Sequence, residues 1–141
     1  PLGKATLAQQ ASTKEINDGN SLCIITYGMG VYWAKNSSKK FPGSVEILDL
    51  RTLNPCDDEA VFESVRRHGK CIVLTEEQIY NSFAQALAGR ISYTCFRHLD
   101  APVKAIGSKP LPAVALIMIL EKAMLPSVEM VSDEISALLK S

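Results

Sequence analysis

The sequence predicts an α/β fold: three layers, α/β/α, around a mostly parallel five-stranded sheet with one antiparallel edge strand. Two observations carry this expectation. Residues 22–27, 45–50 and 71–75 are short, continuously apolar and rich in β-branched side chains, as strands must be when both sheet faces are covered. Between them lie segments with helical spacing and helix end signals, and such alternation implies parallel strands joined by right-handed crossovers.

Taken in order, residues 5–8 read as an edge strand and the polar stretch 9–20 as a loop, so that 1–20 serve as linker and edge. After the strand 22–27, Gly28-Met29-Gly30 opens a poorly amphipathic helix with Asn36, Ser37 and Ser38 in its middle. After the strand 45–50 come Asn54-Pro55 and then a helix over residues 57–68. Acids at its start (Asp57, Asp58, Glu59), bases at its end (Arg66, Arg67, His68) and Gly69 beyond suit the helix dipole and a glycine C-cap. Ser82-Phe83-Ala84-Gln85 after the strand 71–75 is a capping box, and Phe83, Leu87 and Ile91 then share one helical face. Gly89 in that helix costs about 1 kcal/mol relative to alanine, a cost that close packing would justify. Residues 102–106 form a weaker strand. Pro112 and Pro126 bracket a buried helix, and Ser127 caps an amphipathic one carrying Val128, Val131, Ile135, Leu138 and Leu139 on one face.

The chain has 141 residues, enough for one domain with a single core, and residues 1–141 are read as one. Lysine and arginine number 15 and so do aspartate and glutamate. No whole-chain field therefore attracts nucleic acid or an anionic membrane, and a charged partner must meet a local patch. The longest apolar run, residues 113–120, is far shorter than the ~20 residues that span a bilayer. The four cysteines, at 23, 56, 71 and 95, have neither zinc-site nor dithiol spacing. A reduced, intracellular setting is the plain reading of them. The opening Pro1-Leu2-Gly3 reads as a processed chain or a fragment of a longer one.

In such a sheet, ligands bind outside the carboxyl ends of the strands. Gly28 and Gly30 follow the first long strand, and Asp49 lies 21 residues after Gly28, near the ~20-residue spacing of a dinucleotide-binding unit. Trp33, however, stands at the third glycine position. The simpler reading of Gly28 and Gly30 is a tight turn. Glu76 and Glu77 end the strand 71–75, where paired carboxylates serve acid–base work. Neither a nucleophile nor a metal ligand accompanies them in sequence, so Glu76 reads as an acceptor for nearby amides at the strand-end turn. His68 reads as a helix C-terminal cation, and His98 as a surface residue of the Arg97-His98-Leu99-Asp100 cluster. No catalytic set emerges.

The order of segments nevertheless resembles the C-terminal domain of transketolase-like enzymes, above all the beta subunit of the decarboxylating component of 2-oxo acid dehydrogenases (2-oxoisovalerate or pyruvate type). Leu22-Cys23-Ile24-Ile25-Thr26-Tyr27-Gly28 is similar to that family's first long strand and turn. Glu46-Ile47-Leu48-Asp49-Leu50-Arg51-Thr52-Leu53-Asn54-Pro55, followed by Asp57, is the most specific stretch. Ile72-Val73-Leu74-Thr75-Glu76-Glu77, Leu99-Asp100-Ala101-Pro102-Val103 and Pro110-Leu111-Pro112 continue in family order.

The resemblance implies a non-catalytic domain of an enzyme whose thiamine diphosphate and magnesium are held by other domains, with no cofactor bound by this segment itself. It implies partners: the alpha and pyrimidine-binding parts of the decarboxylating component, a homodimer mate, and the basic subunit-binding domain of the acyltransferase core. Asp100, and Ser141 where it is the natural carboxyl terminus, are the contacts it suggests for that last partner. Charge-assisted pairs of this kind orient and steer association. Two other readings stay open: a free-standing Rossmann-like nucleotide binder using Gly28, Gly30 and Asp49, or the equivalent domain of transketolase, deoxyxylulose-phosphate synthase or a 2-oxo acid ferredoxin oxidoreductase.

Overall fold

The computed structural model describes residues 3–108 and 128–141. Its strands are β1 (Thr6–Gln9), β2 (Leu22–Thr26), β3 (Val45–Asp49), β4 (Cys71–Gln78) and β5 (Lys104–Ser108), in the sheet order β1-β3-β2-β4-β5. The pairs β3–β2, β2–β4 and β4–β5 are parallel, while β1 runs antiparallel to β3 at the edge. The helices are α1 (Thr13–Asn17), α2 (Met29–Ser37), α3 (Asp58–His68), α4 (Phe83–Thr94) and α5 (Val128–Leu139). Short 3-10 turns cover Ser38–Lys40 and Phe96–His98.

Alternation along each strand builds the two cores, because successive side chains point to opposite faces. Cys23, Ile25, Leu48, Cys71 and Val73 pack with Val61 and Val65 of α3 and Leu87 and Ile91 of α4. Leu22, Ile24, Ile47, Ile72 and Leu74 pack with Ala34 of α2 and Val131, Ile135 and Leu138 of α5. The result is the expected three-layer α/β/α arrangement, mostly parallel with one antiparallel pair. Asp57 ties two pieces together: Oδ1 accepts from Ala60 N at 3.3 Å to cap α3, and Oδ2 accepts from Ala5 N at 2.9 Å to anchor the start of β1.

Four expectations change. The polar stretch 9–20 is not all loop: Ser12 accepts from Glu15 N and caps the short helix α1. The last strand sits two residues further on than its apolar run suggested, because it takes its register from β4, with Ile72 opposite Lys104. β4 itself continues beyond Thr75 to Gln78 as exposed residues. Gly89 has no packing reason, since a Cβ there would meet nothing within 4 Å. Gly89→Ala should therefore raise stability by about 1 kcal/mol, read as a higher midpoint in urea with an unchanged slope. The proposed helix between Pro112 and Pro126, and the cap at Ser127, lie outside the described residues.

Candidate functional site

The sheet has two rims, and the sequence-derived candidates divide between them. At the carboxyl end, chain order reverses between β2 and β4, and this is where an open α/β sheet offers its crevice. Here several of the protein's own groups engage one another. The Tyr27 hydroxyl lies 2.6 Å from Thr75 Oγ1, which also accepts from Glu77 N at 3.1 Å. The Tyr27 ring meets Phe83 edge-on at 6.1 Å between centroids. Burial chiefly raises the Tyr27 phenol's pKa, and the Glu77 and Glu76 charges push the same way against the Thr75 hydrogen bond.

Gly28 has φ +59°, which its lack of a Cβ permits, and a Cβ there would stand 3.2 Å from Glu76 Oε1. The Glu76 carboxylate thus lies beside the start of α2. Gly30 is buried, and a Cβ on it would overlap the Thr26 hydroxyl, which donates to Leu74 O at 2.9 Å. It lets α2 close onto β2 and β4. Asp49 accepts from Arg51 N at 3.0 Å through Oδ1, and its Oδ2 is 3.8 Å from Arg51 Nε. That turn holds Arg51 at φ +60°. Gly28, Gly30 and Asp49 are brought to one rim, but each is engaged by the fold and they assemble no phosphate-and-ribose cradle.

The amino-terminal rim holds a cluster that the sequence reading missed. Glu46, near the start of β3, is almost wholly buried and accepts from Ser64 Oγ and, at 2.8 Å, from Arg67 Nη2. His68 closes α3 as expected, and its side chain is fully buried. Its Nδ1 lies 2.7 Å from Ser21 Oγ, and its Nε2 is 3.3 Å from Glu46 Oε2, too poorly aligned for a satisfying hydrogen bond. Burial pushes the Glu46 carboxyl up, but the contacts from His68, Ser64 and Arg67 outweigh it and hold it down at about 2. The spacing of Glu46, Ser64 and His68 on helix and strand gives no hint of the cluster, because it is built by the crossover from β3 to α3. The one signal was a glutamate set between the apolar Val45 and Ile47 of a strand.

Asp100 lies on this same rim, between α4 and β5. Its N–H donates to Gly69 O at 2.8 Å, and its Oδ2 is 3.2 Å from Lys70 Nζ. The Lys70 side chain is 4% exposed and its ammonium also donates to Gly19 O at 3.2 Å, whereas the Asp100 side chain is 55% exposed. Gly69, at φ +73°, has to be glycine on two counts, since a Cβ would stand 2.7 Å from Asp100 Oδ2. Ser141 is exposed just beyond α5, its hydroxyl donating to Ala137 O at 3.2 Å.

The thiols of Cys56 and Cys71 are not poised to react. All four cysteines are free. Burial, with Asp58 beside it, pushes Cys56 to about 11, and Cys71 is driven well up by Cys23 next to it and by burial. The thiolate is the nucleophile, so these shifts make them inert. Among the described residues no group of three or more His, Cys, Asp and Glu could hold a metal ion, and no helix is long and apolar enough to cross a membrane.

These features define an α/β domain of the transketolase C-terminal type. The chain belongs to the family described as transketolase, C-terminal domain, whose model matches residues 11–131. It is similar to the 2-oxoisovalerate dehydrogenase subunit beta of Bacillus subtilis (strain 168), 31% identical over 86% of this chain and 36% of that protein. It is also similar to the pyruvate dehydrogenase E1 component subunit beta of Rhizobium meliloti (strain 1021), 32% identical over 97% of this chain and 28% of that one. A third relative is the mitochondrial 2-oxoisovalerate dehydrogenase subunit beta of Chaetomium thermophilum, 32% identical over 91% of this chain and 26% of that protein. The chain thus spans about a third of the length of the curated relatives it matches. Among solved structures, "Split gene transketolase, inactive beta4 tetramer" shares the fold, with a TM-score of 0.76 and 17% identity over 99% of this chain and 43% of that one.

Proposed function

We propose that the chain is the non-catalytic C-terminal domain of a thiamine-diphosphate-dependent 2-oxo acid dehydrogenase, serving subunit assembly and docking to the acyltransferase core. The parent enzyme would act on pyruvate or a branched-chain 2-oxo acid, the two substrate types named in its relatives. The observation that carries the reading is the division of the rims: at the carboxyl end Tyr27, Gly30 and Asp49 are each engaged by the fold itself, while Asp100 is held half-exposed at the amino end.

Thiamine diphosphate with magnesium does not fit the described residues. Glu76, on β4 beside the start of α2, repels a diphosphate where a helix N-terminus would otherwise attract it, and among the described residues no metal-ligating cluster accompanies it. The cofactor belongs to the other domains of the parent, and this chain derives no step from it. The same carboxylate disfavours a dinucleotide, whose ribose partner Asp49 is already committed to Arg51. The proposed partners are the remainder of the decarboxylating component, a homodimer mate, and the basic subunit-binding domain of the acyltransferase. Asp100 is the proposed contact to that domain, joined by the terminal carboxylate where Ser141 is the natural end. The setting proposed is the cytoplasm, or the mitochondrial matrix in a eukaryote.

Calorimetry tests both halves. The chain alone should give no binding heat with magnesium thiamine diphosphate or NAD. It should bind a recombinant subunit-binding domain with an affinity that falls as salt rises. Asp100→Ala should weaken that binding about tenfold or more, as loss of a charge-assisted contact does. Micromolar binding of thiamine diphosphate, or docking indifferent to Asp100, would overturn the corresponding half.

A further inference from the structure

At the other edge of the sheet from Asp100, where β1 meets the end of α2, lies a groove of about 400 Å³. Gln9, Gln10, Lys35, Ser38, Lys39 and the Pro42-Gly43 turn line it. We propose that this groove binds a small phosphate monoester, its phosphoryl group held between Lys35 and Lys39. The inference is independent of the docking reading above.

The charge here is local and uncompensated. The chain as a whole is neutral, with 15 cations against 15 anions, yet residues 19–45 carry three lysines and no acid. Lys35 and Lys39 line the groove and Lys40 follows in the chain, all three exposed. Arg51, Arg67, Lys70, Arg90 and Lys104 each have a carboxylate within 4.0 Å, whereas these three lysines have none among the described residues. Glu15 of α1 comes near, since a Cβ on Gly43 would stand 3.6 Å from its Cγ, but among the described residues no carboxylate lines the groove. The negative end of α2 does not account for three cations, because a helix terminus carries only about half an elementary charge. Its last carbonyls are also engaged. Ser38 N–H donates to Ala34 O and Asn36 O, and Ser38 Oγ donates to Lys35 O at 3.0 Å.

The same groups select the ligand. Two ammonium groups on one groove match a doubly charged anion better than a carboxylate, and a phosphate monoester carries about −1.5 to −2 at neutral pH. Lysine binds such a group as a point charge, without the planar fork that arginine offers a carboxylate. The Gln10 side-chain amide makes no hydrogen bond to a described residue and adds a neutral donor. The Pro42-Gly43 turn gives the organic part of the ester an uncharged wall. The volume falls within the ~300–1,000 Å³ of small-molecule sites.

The frame is set before any ligand arrives. Gln9 Nε2 donates to Ser38 Oγ at 3.0 Å and to Val45 O at 2.9 Å, which ties β1 to the end of α2. Ser12 N donates to Gly43 O at 2.8 Å and fixes the far wall. Binding therefore orders a few side chains and no backbone, which keeps its entropic cost low.

The test is an amide NMR titration of the labelled chain with glycerol phosphate at constant ionic strength. Shifts should saturate and cluster at Gln9, Gln10, Lys35, Ser38, Lys39 and Gly43. Lys35→Gln and Lys39→Gln replace exposed side chains, so the melting temperature should hold while each weakens binding about tenfold. Lys4→Gln, ahead of β1 at the carboxyl rim, should leave the affinity as it is. Shifts that stay linear, or that sodium chloride reproduces at matched ionic strength, would overturn the proposal. So would an affinity that both groove variants leave within about twofold of the unaltered chain. Cosedimentation with phosphatidylcholine vesicles carrying phosphatidic acid, without saturable binding of the soluble ester, would assign the lysines to a membrane surface and overturn it too.

Discussion

Glu46→Ala should cost about 3–5 kcal/mol of folding stability, the loss expected when one member of a buried ionic cluster is removed and its partners are stranded. Arg67, His68 and Ser64 all converge on this one carboxylate. The same residue sets an acid limit. Its folded pKa is held near 2 against an ordinary 4.5. A group depressed in this way contributes stability that is complete above the unfolded value and lost as pH falls through the folded one. The window therefore runs from about pH 4.5 down to about pH 2, and linkage makes the contribution on the order of 3 kcal/mol. Urea titrations across that range should show the unaltered chain losing stability steeply and Glu46→Gln losing it much less. A Glu46→Gln variant within about 1 kcal/mol of the unaltered chain at neutral pH, with an identical acid limb, would contradict the account.

Gly30→Ala should cost about 2–3 kcal/mol, because the new methyl group overlaps the Thr26 hydroxyl and either displaces α2 or breaks the Thr26–Leu74 hydrogen bond. The consequence separates two meanings of the Gly28-Met29-Gly30 turn. If Gly30 served close approach to a pyrophosphate, alanine would be tolerated in the empty protein. Because the close approach is internal, the cost appears in stability alone. The double variant Gly30→Ala with Thr26→Ala should recover part of the loss, an interaction measurable as a double-mutant cycle. A strictly additive pair would show that the contact does not limit packing.

The fold was legible where both faces of a strand are buried. The runs in β2, β3 and the first half of β4 are largely apolar because α2 and α5 cover one side and α3 and α4 the other. Legibility failed where a segment takes its structure from neighbours. β5 is set by the register of β4, and α1 is a polar five-residue helix held by the cap at Ser12, which no periodicity betrays. The helix signals at α3 were read well at both ends, yet they did not show what His68 touches. A base in the last turn suits a helix dipole wherever it points, and only the crossover shows that this one points inward onto Glu46. Of the candidate site residues, Gly28, Gly30 and Glu76 do gather at the carboxyl rim, as their strand-end positions implied. The partner of Asp100 was hidden, because a lysine before a strand reads as exposed and Lys70 is buried.

The central claim is that partner binding lies on the amino-terminal rim and not at the strand-end crevice. The most direct measurement is an amide NMR titration of the labelled chain with a recombinant acyltransferase subunit-binding domain. The account predicts that shifts cluster at residues 92–102 and at Gly69 and Lys70, and that Gly28, Gly30, Glu76 and Glu77 stay silent. Shifts concentrated at those four residues, with Asp100 and its neighbours unmoved, would contradict it.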